Sequence, residues 1–138
     1  MPQKGGIRAT ALVVKDEKIL MMHRLRDGEE YYVLPGGAME EGEEVKKAVL
    51  RELKEETNLG GVIIEDLADF SDDFCRTRIF EVEVENTDAK IREDSPEYIK
   101  QNKNNQFNLE WVPIKELIFL TIWPMQTREF LFKYFKLA

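Results

Sequence analysis

The apolar positions change period along the chain. Residues 7–14 (IRATALVV) form a β-rich run, 15–18 are polar and turn-like, and 19–22 (ILMM) resume the run. This pattern predicts a hairpin. Residues 26–30 are a polar loop, 31–34 (YYVL) a short strand, and Pro35-Gly36-Gly37 ends it with strong breaker chemistry. From 43 to 57 there is neither Gly nor Pro, and Glu, Lys, Leu and Ala dominate. A helix is predicted there, with Asn58 suited to the left-handed conformation that closes it. Residues 62–70 and 74–84 read as strands, the second alternating Phe80, Val82 and Val84 with Glu81, Glu83 and Glu85. The 21 residues 86–106 are polar, a length that marks a functional loop or a concealed short helix. A strand over 107–112 and a C-terminal helix over 123–137 follow, with Pro124 in the first turn and Phe130, Leu131, Tyr134 and Phe135 on one face. Strands flanking one central helix predict an α/β fold, a mixed sheet with helices on both faces.

The 43–57 helix carries an anomaly. With Val45 at zero on a helical wheel, Val49, Leu53 and Ala48 fall at about 40°, 80° and 300° and form the apolar stripe. Glu52 and Glu56 fall at about 340° and 20°, inside that stripe, and Glu55 at about 280°, on its edge. Lys47, Arg51 and Lys54 fall between about 180° and 240°, on the solvent side. Carboxylates on a core-facing stripe are costly unless something pairs with them. Three of them at i, i+3 and i+4 repel one another within one turn. Either basic partners or a hard divalent cation such as Mg²⁺ or Mn²⁺ satisfies them.

Composition narrows the chemistry. There are 20 Lys+Arg against 27 Asp+Glu, a formal charge of −7, over 138 residues. That balance argues against binding long nucleic acid, yet an acidic protein still binds phosphates when cations intervene. One cysteine, Cys75, excludes an internal disulfide and a cysteine zinc cluster, and one histidine, His23, excludes a multi-histidine metal site. No apolar window has the length a membrane span needs, and the first residues lack a secretory signal pattern. A single domain over 1–138, a cytoplasmic location and no membrane contact are expected.

The segment Leu34-Pro35-Gly36-Gly37-Ala38-Met39-Glu40-Glu41-Gly42-Glu43 is a Gly-rich loop feeding a helix N-terminus, which allows close backbone approach to an anion. Loop and helix together place Gly37, then Glu43, then Arg51-Glu52-Leu53-Lys54-Glu55-Glu56-Thr57-Asn58-Leu59 at fixed spacing. This spacing resembles the signature box of the Nudix hydrolase family over 37–59, departing only at Asn58, where the family carries Gly. Arg24, the run 31–37, and Leu109-Glu110-Trp111-Val112-Pro113 with Glu116-Leu117 resemble further family landmarks.

The resemblance implies an α/β/α sandwich around a mixed sheet, with the box as loop-helix-loop. It implies metal-dependent hydrolysis of a nucleoside diphosphate linked to another moiety, with Mg²⁺ as cofactor and Mn²⁺ as substitute. By the same resemblance Glu52, Glu55 and Glu56 hold the metal, with the Gly37 carbonyl as a further ligand, and Arg51 pairs with Glu43 to tie loop to helix. Family members differ in the general base. Glu52 is the first choice here, Glu97 in the loop 94–97 the outside choice, and Glu110 a weaker one. His23 is expected to be a strand residue without a catalytic role, and Cys75 a small buried residue. Arg24, Arg76 and Arg78 are candidates for substrate phosphates, and Tyr32, Phe74, Phe107 and Trp111 for stacking on a base. Arg24, Arg78, Tyr32 and Trp111 form the expected substrate-binding set.

The box fixes the reaction and leaves the leaving group open. The Pro that the family's ADP-ribose enzymes carry after the box is replaced here by Asp73-Phe74-Cys75-Arg76. The Tyr of the diadenosine polyphosphate enzymes and the NADH and coenzyme A signatures are absent too. A nucleoside triphosphate ranks first as substrate, and ADP-ribose or another nucleotide sugar second. A non-catalytic nucleotide-sensing module and an enzyme acting on RNA 5′ ends are the competing classes. The partner is a small nucleotide, with a homodimer as the candidate assembly.

Overall fold

Two four-stranded sheets form the middle of the protein, in a computed structural model that describes residues 6–90, 101–102 and 104–137. The strands are β1 (Ile7–Leu12), β2 (Val14–Lys15), β3 (Lys18–Arg26), β4 (Glu29–Val33), β5 (Gly36–Ala38), β6 (Gly61–Ser71), β7 (Arg76–Val84) and β8 (Asn105–Pro113). The helices are α1 (Val45–Thr57) and α2 (Met125–Tyr134), with a 3₁₀ helix over Ile114–Phe119 between β8 and α2. The first sheet runs β5-β1-β7-β6 and is mixed, because β1 and β7 are parallel while the other pairs are antiparallel. In the second, β3 pairs antiparallel with β2, β4 and β8. Among the described residues no helix is long and apolar enough to cross a membrane.

Alternation along the strands builds a core on each side. Ala9, Ala11, Phe80 and Val82 turn to α1 and meet its stripe of Ala48, Val49 and Leu53. Leu12, Ile19, Met21 and Ile79 turn the other way, to Leu117 of the 3₁₀ helix and Leu131 of α2. Helices therefore cover both faces, and the fold is an α/β/α sandwich.

The predicted first hairpin is corrected in its partners. Residues 7–14 do not continue as one strand: β1 pairs with β5 and β7, and only Val14 and Lys15 fold back on β3. A run buried on both faces suits the centre of a mixed sheet, and local pattern does not disclose that pairing. The predicted loop at 26–30 is instead a tight hairpin, since Asp27 (φ 50°) and Gly28 (φ 84°) both lie in the left-handed region and Arg26 pairs with Glu29. Asp-Gly is a strong signal for that turn. Gly36 and Gly37 do not merely break a strand; they form β5 against Thr10 and Ala9. Of the long polar segment, Gln106 and Asn105 join β8, and 91–100, with Glu97, lie outside the described residues. The C-terminal helix is shorter than predicted, and Pro124 stands at its N-cap.

Helix α1 starts two residues later than predicted because Glu43 serves the loop: its carboxylate accepts from Glu40 N–H at 3.0 Å. It ends at Asn58, which adopts φ 62° and donates its N–H to the Lys54 carbonyl at 2.9 Å. Asn58→Gly is expected to raise the unfolding free energy by up to about 1 kcal/mol and Asn58→Val to lower it by about 1–2 kcal/mol. Urea unfolding reads both, and equal stabilities would contradict the left-handed cap.

Candidate active site

The stripe of α1 delivers its carboxylates to β5. Glu56 is 5% exposed, and its Oε1 accepts from Gly36 N–H at 2.9 Å. Glu52 lies on Gly37 so closely that a Cβ there would stand 2.5 Å from Oε2 and 2.8 Å from Oε1. A side chain at Gly37 would displace the Glu52 carboxylate, while one at Gly36 would strike the Ala9 carbonyl and the Thr10 backbone, so contact requires glycine at 36. Glu55, with a 40% exposed side chain, sits at the rim, as its place on the wheel implies.

Arg51 departs from the wheel. Its side chain is only 25% exposed and turns over the carboxylates rather than to solvent. Nε donates to Glu43 Oε2 at 2.8 Å and Nη2 to Glu43 Oε1 at 3.0 Å, a bidentate pair. Nη2 also donates to the Ala38 carbonyl at 3.0 Å, and Nη1 to Glu52 Oε1 at 2.9 Å and Glu55 at 3.4 Å. A guanidinium has five N–H donors on a long stem, so it reaches back where a wheel places only the Cα. The Arg51 bond holds the Glu43 carboxyl below its ordinary value, and the same bond raises Arg51.

Each box carboxylate therefore already has a protein partner. Among the described residues no three Asp, Glu, His or Cys side chains are grouped closely enough to hold an ion. The predicted convergence within one turn is replaced by Glu52 and Glu55 on Arg51 and Glu56 on Gly36. The donor chemistry nevertheless fits Mg²⁺ or Mn²⁺: hard anionic oxygens stand against a glycine backbone that leaves no side chain in the way.

Beside the box opens a cleft of about 810 Å³. Arg8, Arg24, Tyr31 and Val33 line it from the strands, Thr121 and Trp123 from the segment before α2, and Met125 from the first residue of α2. Arg8 is 7% exposed and interacts electrostatically with Glu56 and Glu52, which ties the cleft to the box. Burial lowers the Arg8 guanidinium from its ordinary value, and Glu56 opposes the shift.

The expected substrate-binding set is only partly brought together. Arg24 lines the cleft. Of the adjacent tyrosines, strand alternation sends Tyr31 to the cleft and Tyr32 to the opposite face, where it stacks on His23 at 4.4 Å. Tyr32 OH donates to Glu110 Oε1 at 3.4 Å, and His23 Nδ1 lies 2.6 Å from Glu110 Oε2. Burial, with Glu110 and Glu30, holds the Tyr32 phenol above its ordinary value. Arg78 pairs with Asp66 at 2.6 Å and Arg76 with Asp69, on β6 and β7. Trp111 lines a separate cavity of about 480 Å³ and donates to the Thr87 carbonyl. Cys75 is buried, and burial pushes its thiol up, away from the reactive thiolate.

Sequence reasoning missed Arg8, Tyr31 and Trp123. Arg8 had a signal, a lone charge inside an apolar run. Trp123 had none, because it reaches the cleft through long-range backbone bonds: Trp123 N–H to the Tyr32 carbonyl at 2.9 Å and Tyr32 N–H to the Thr121 carbonyl at 2.8 Å.

A family model described as NUDIX domain matches residues 6–134. The chain belongs to the NUDIX domain family. Among NUDIX relatives, the Nudix hydrolase YvcI of Bacillus subtilis is 43% identical over 53 residues, 38% of this chain and 32% of that protein. A protein of Methanocaldococcus jannaschii named ADP-ribose pyrophosphatase is 43% identical over 55 residues, 39% of this chain and 32% of its own length. The chain thus matches about a third of the length of these relatives. The solved MutT protein of Methanosarcina mazei superposes with a TM-score of 0.70 at 20% identity, covering 97% of this chain and 95% of that one. The ORF135 protein of E. coli gives 0.70 at 20% identity, with 98% and 91% covered. These likenesses show the NUDIX fold.

The Arg51–Glu43 pair makes a pH prediction. Because the folded-state value of Glu43 is depressed, its stabilisation is full above the unfolded value near 4.5 and is lost as pH falls through the folded value. Glu43→Gln should cost about 1–3 kcal/mol at pH 7 and progressively less below about pH 4. Urea unfolding of both proteins across pH 3–7 measures the gap. A gap that is constant with pH would contradict the pairing.

Proposed function

We propose that this chain hydrolyses a pyrophosphate bond in a nucleoside diphosphate linked to another moiety, with a nucleoside triphosphate as first substrate and the cytoplasm as its location. The observation that carries this reading is the buried Glu56 beside Glu52, set against Gly36 and Gly37. A carboxylate 5% exposed on a core-facing stripe serves packing poorly, and ligation of a hard cation gives it a use.

Glu52, Glu55, Glu56 and the Gly37 carbonyl would hold Mg²⁺, with Mn²⁺ as substitute. A divalent ion there supplies Lewis-acid stabilisation of phosphate oxygens. Arg51, locked by Glu43, positions Glu52 and Glu55 and fixes the loop on the helix. Arg24 takes a phosphate oxygen. Tyr31 and Trp123 offer aromatic faces to the base, Trp123 being 38% exposed in the cleft. Glu52 accepts the proton of the attacking water, since the helix holds it rigidly; Glu97, in the loop, is the competing base. Arg78, paired with Asp66, and Trp111, in the smaller cavity, are not assigned substrate contacts in this reading. ADP-ribose or another nucleotide sugar is the second reading, supported by the relative named for that activity.

Phosphate release from nucleoside triphosphates and ADP-ribose, with and without chelator, tests the reaction. Activity should vanish once metal is stripped and return with Mg²⁺ or Mn²⁺; full activity in chelator sinks the reading. Glu52→Gln should lower turnover at least about a hundredfold and weaken Mg²⁺ binding, whereas Glu97→Gln should cost less than about tenfold. A larger loss in Glu97→Gln at unchanged Mg²⁺ affinity would move the base to the loop.

A further inference from the structure

The face of the β3–β4–β8 sheet that turns away from the cleft carries a polar cluster with no part in the reaction. His23 and Tyr32 are cross-strand partners on β3 and β4, and their rings stack at 4.4 Å with 6° between planes. Glu110 stands diagonally across on β8, since its direct partner on β3 is Met21. A carboxylate only accepts, so His23 Nδ1–H donates to Glu110 Oε2 across the 2.6 Å contact. Tyr32 OH donates to the other oxygen of the same carboxylate at 3.4 Å. On the far side of the imidazole, Nε2 faces Glu30 Oε1 at 3.5 Å. Turning the ring over would set carbon where each nitrogen now meets a carboxylate. The plane of the imidazole is thereby fixed, and with it the phenol stacked on it.

Tyr32 also acts through its backbone. Its N–H donates to the Thr121 carbonyl at 2.8 Å, and its carbonyl accepts from Trp123 N–H at 2.9 Å, a parallel bridge to Ile122. Thr121, Ile122 and Trp123 form one wall of the cleft, in a stretch between the 3₁₀ helix and α2 that belongs to no strand or helix. Among the described residues no other backbone hydrogen bond joins 121–123 to the sheet. A shift of Tyr32 is therefore passed to Trp123. Arg24 is held independently, on a strand that pairs with β8 along its whole length.

We infer that His23 and Glu110 are positioning residues: by fixing Tyr32 from the outer face of the sheet, they set Trp123 in the cleft for the nucleotide. The inference rests on the reading of the cleft as the nucleotide site. It gives His23 and Glu110 a share in substrate affinity and none in the chemistry. It also removes Glu110 from the candidate bases, because both its oxygens are engaged by donors on the far side of the sheet.

Tryptophan fluorescence reads the position directly and needs neither substrate nor metal. The chain has two tryptophans, so Trp111→Phe leaves Trp123 as the emitter. In that background His23→Ala and Glu110→Leu should raise the acrylamide quenching constant about twofold, as a wall residue loses its support. Glu110→Gln keeps an acceptor for Nδ1–H and should restore the original value. With a nucleoside triphosphate, KM should rise at least about fivefold in His23→Ala and Glu110→Leu, while kcat stays within about twofold and Mn²⁺ affinity is unchanged. If His23→Ala does not fold, His23→Asn, which keeps the donor and loses the stacked ring, decides the matter by a smaller rise in quenching and KM. Unchanged quenching in the folded variants overturns the assignment. Equal losses in kcat, KM and Mn²⁺ affinity also overturn it, since they mark a collapsed fold. So does a kcat loss of about a hundredfold in Glu110→Gln, which would make Glu110 the base. A quenching change in a protein whose wild type hydrolyses no nucleotide would instead refute the catalytic reading and leave the link from His23 to Trp123 standing.

Discussion

The burial of the Glu56 carboxylate on the core side of α1 is the constraint around which the site is arranged. An ionised group 5% exposed needs compensation from its surroundings. The Gly36 N–H at 2.9 Å and the charge of Arg8 supply it, and both belong to the β1–β5 edge of the mixed sheet. That edge must lie against α1, which requires backbone without side chains. A methyl group on Gly37 would push the Glu52 carboxylate of α1 aside, and one on Gly36 would strike the backbone of β1. The Gly-rich loop is thus dictated as much by the contact of strand and helix as by any turn.

Arg51 is the second element of the same balance. It spans Glu43, Glu52 and Glu55, and through the Ala38 carbonyl it also holds the end of β5. Two unlike demands meet there. The loop must be fastened to the helix, which the bidentate Glu43 pair does. The carboxylates must remain anionic beside one another, which a neighbouring guanidinium favours. Under the proposed ligation a divalent cation would compete with Arg51 for Glu52 and Glu55, and the partition of those carboxylates is the variable that ion binding would change.

The helix and its box were legible because their information is local. The spacing from Gly37 to Leu59, the apolar stripe and the Asn58 cap all lie within one loop and one helix. The cleft was far less legible because its walls come from distant segments. Tyr31 and Tyr32 are neighbours that strand alternation sends to opposite faces, and the pattern of 31–34 does not reveal which one faces the substrate. Trp123 arrives only through its backbone bond to Tyr32. Arg8 sits in a run that reads as half of a hairpin, whereas β1 is an inner strand between β5 and β7. The Asp27-Gly28 hairpin is readable from its two residues, since both sit in the left-handed region its tight turn requires.

Direct Mn²⁺ binding followed by electron paramagnetic resonance tests the central claim that Glu56 is buried in order to hold a divalent cation. Wild type should bind Mn²⁺, and Glu56→Gln, folded with the same near-ultraviolet dichroism, should bind it at least about tenfold more weakly, the scale of losing one charged ligand. Equal Mn²⁺ affinity in the two proteins would contradict the account and leave Glu56 as the buried partner of Gly36 and Arg8 alone.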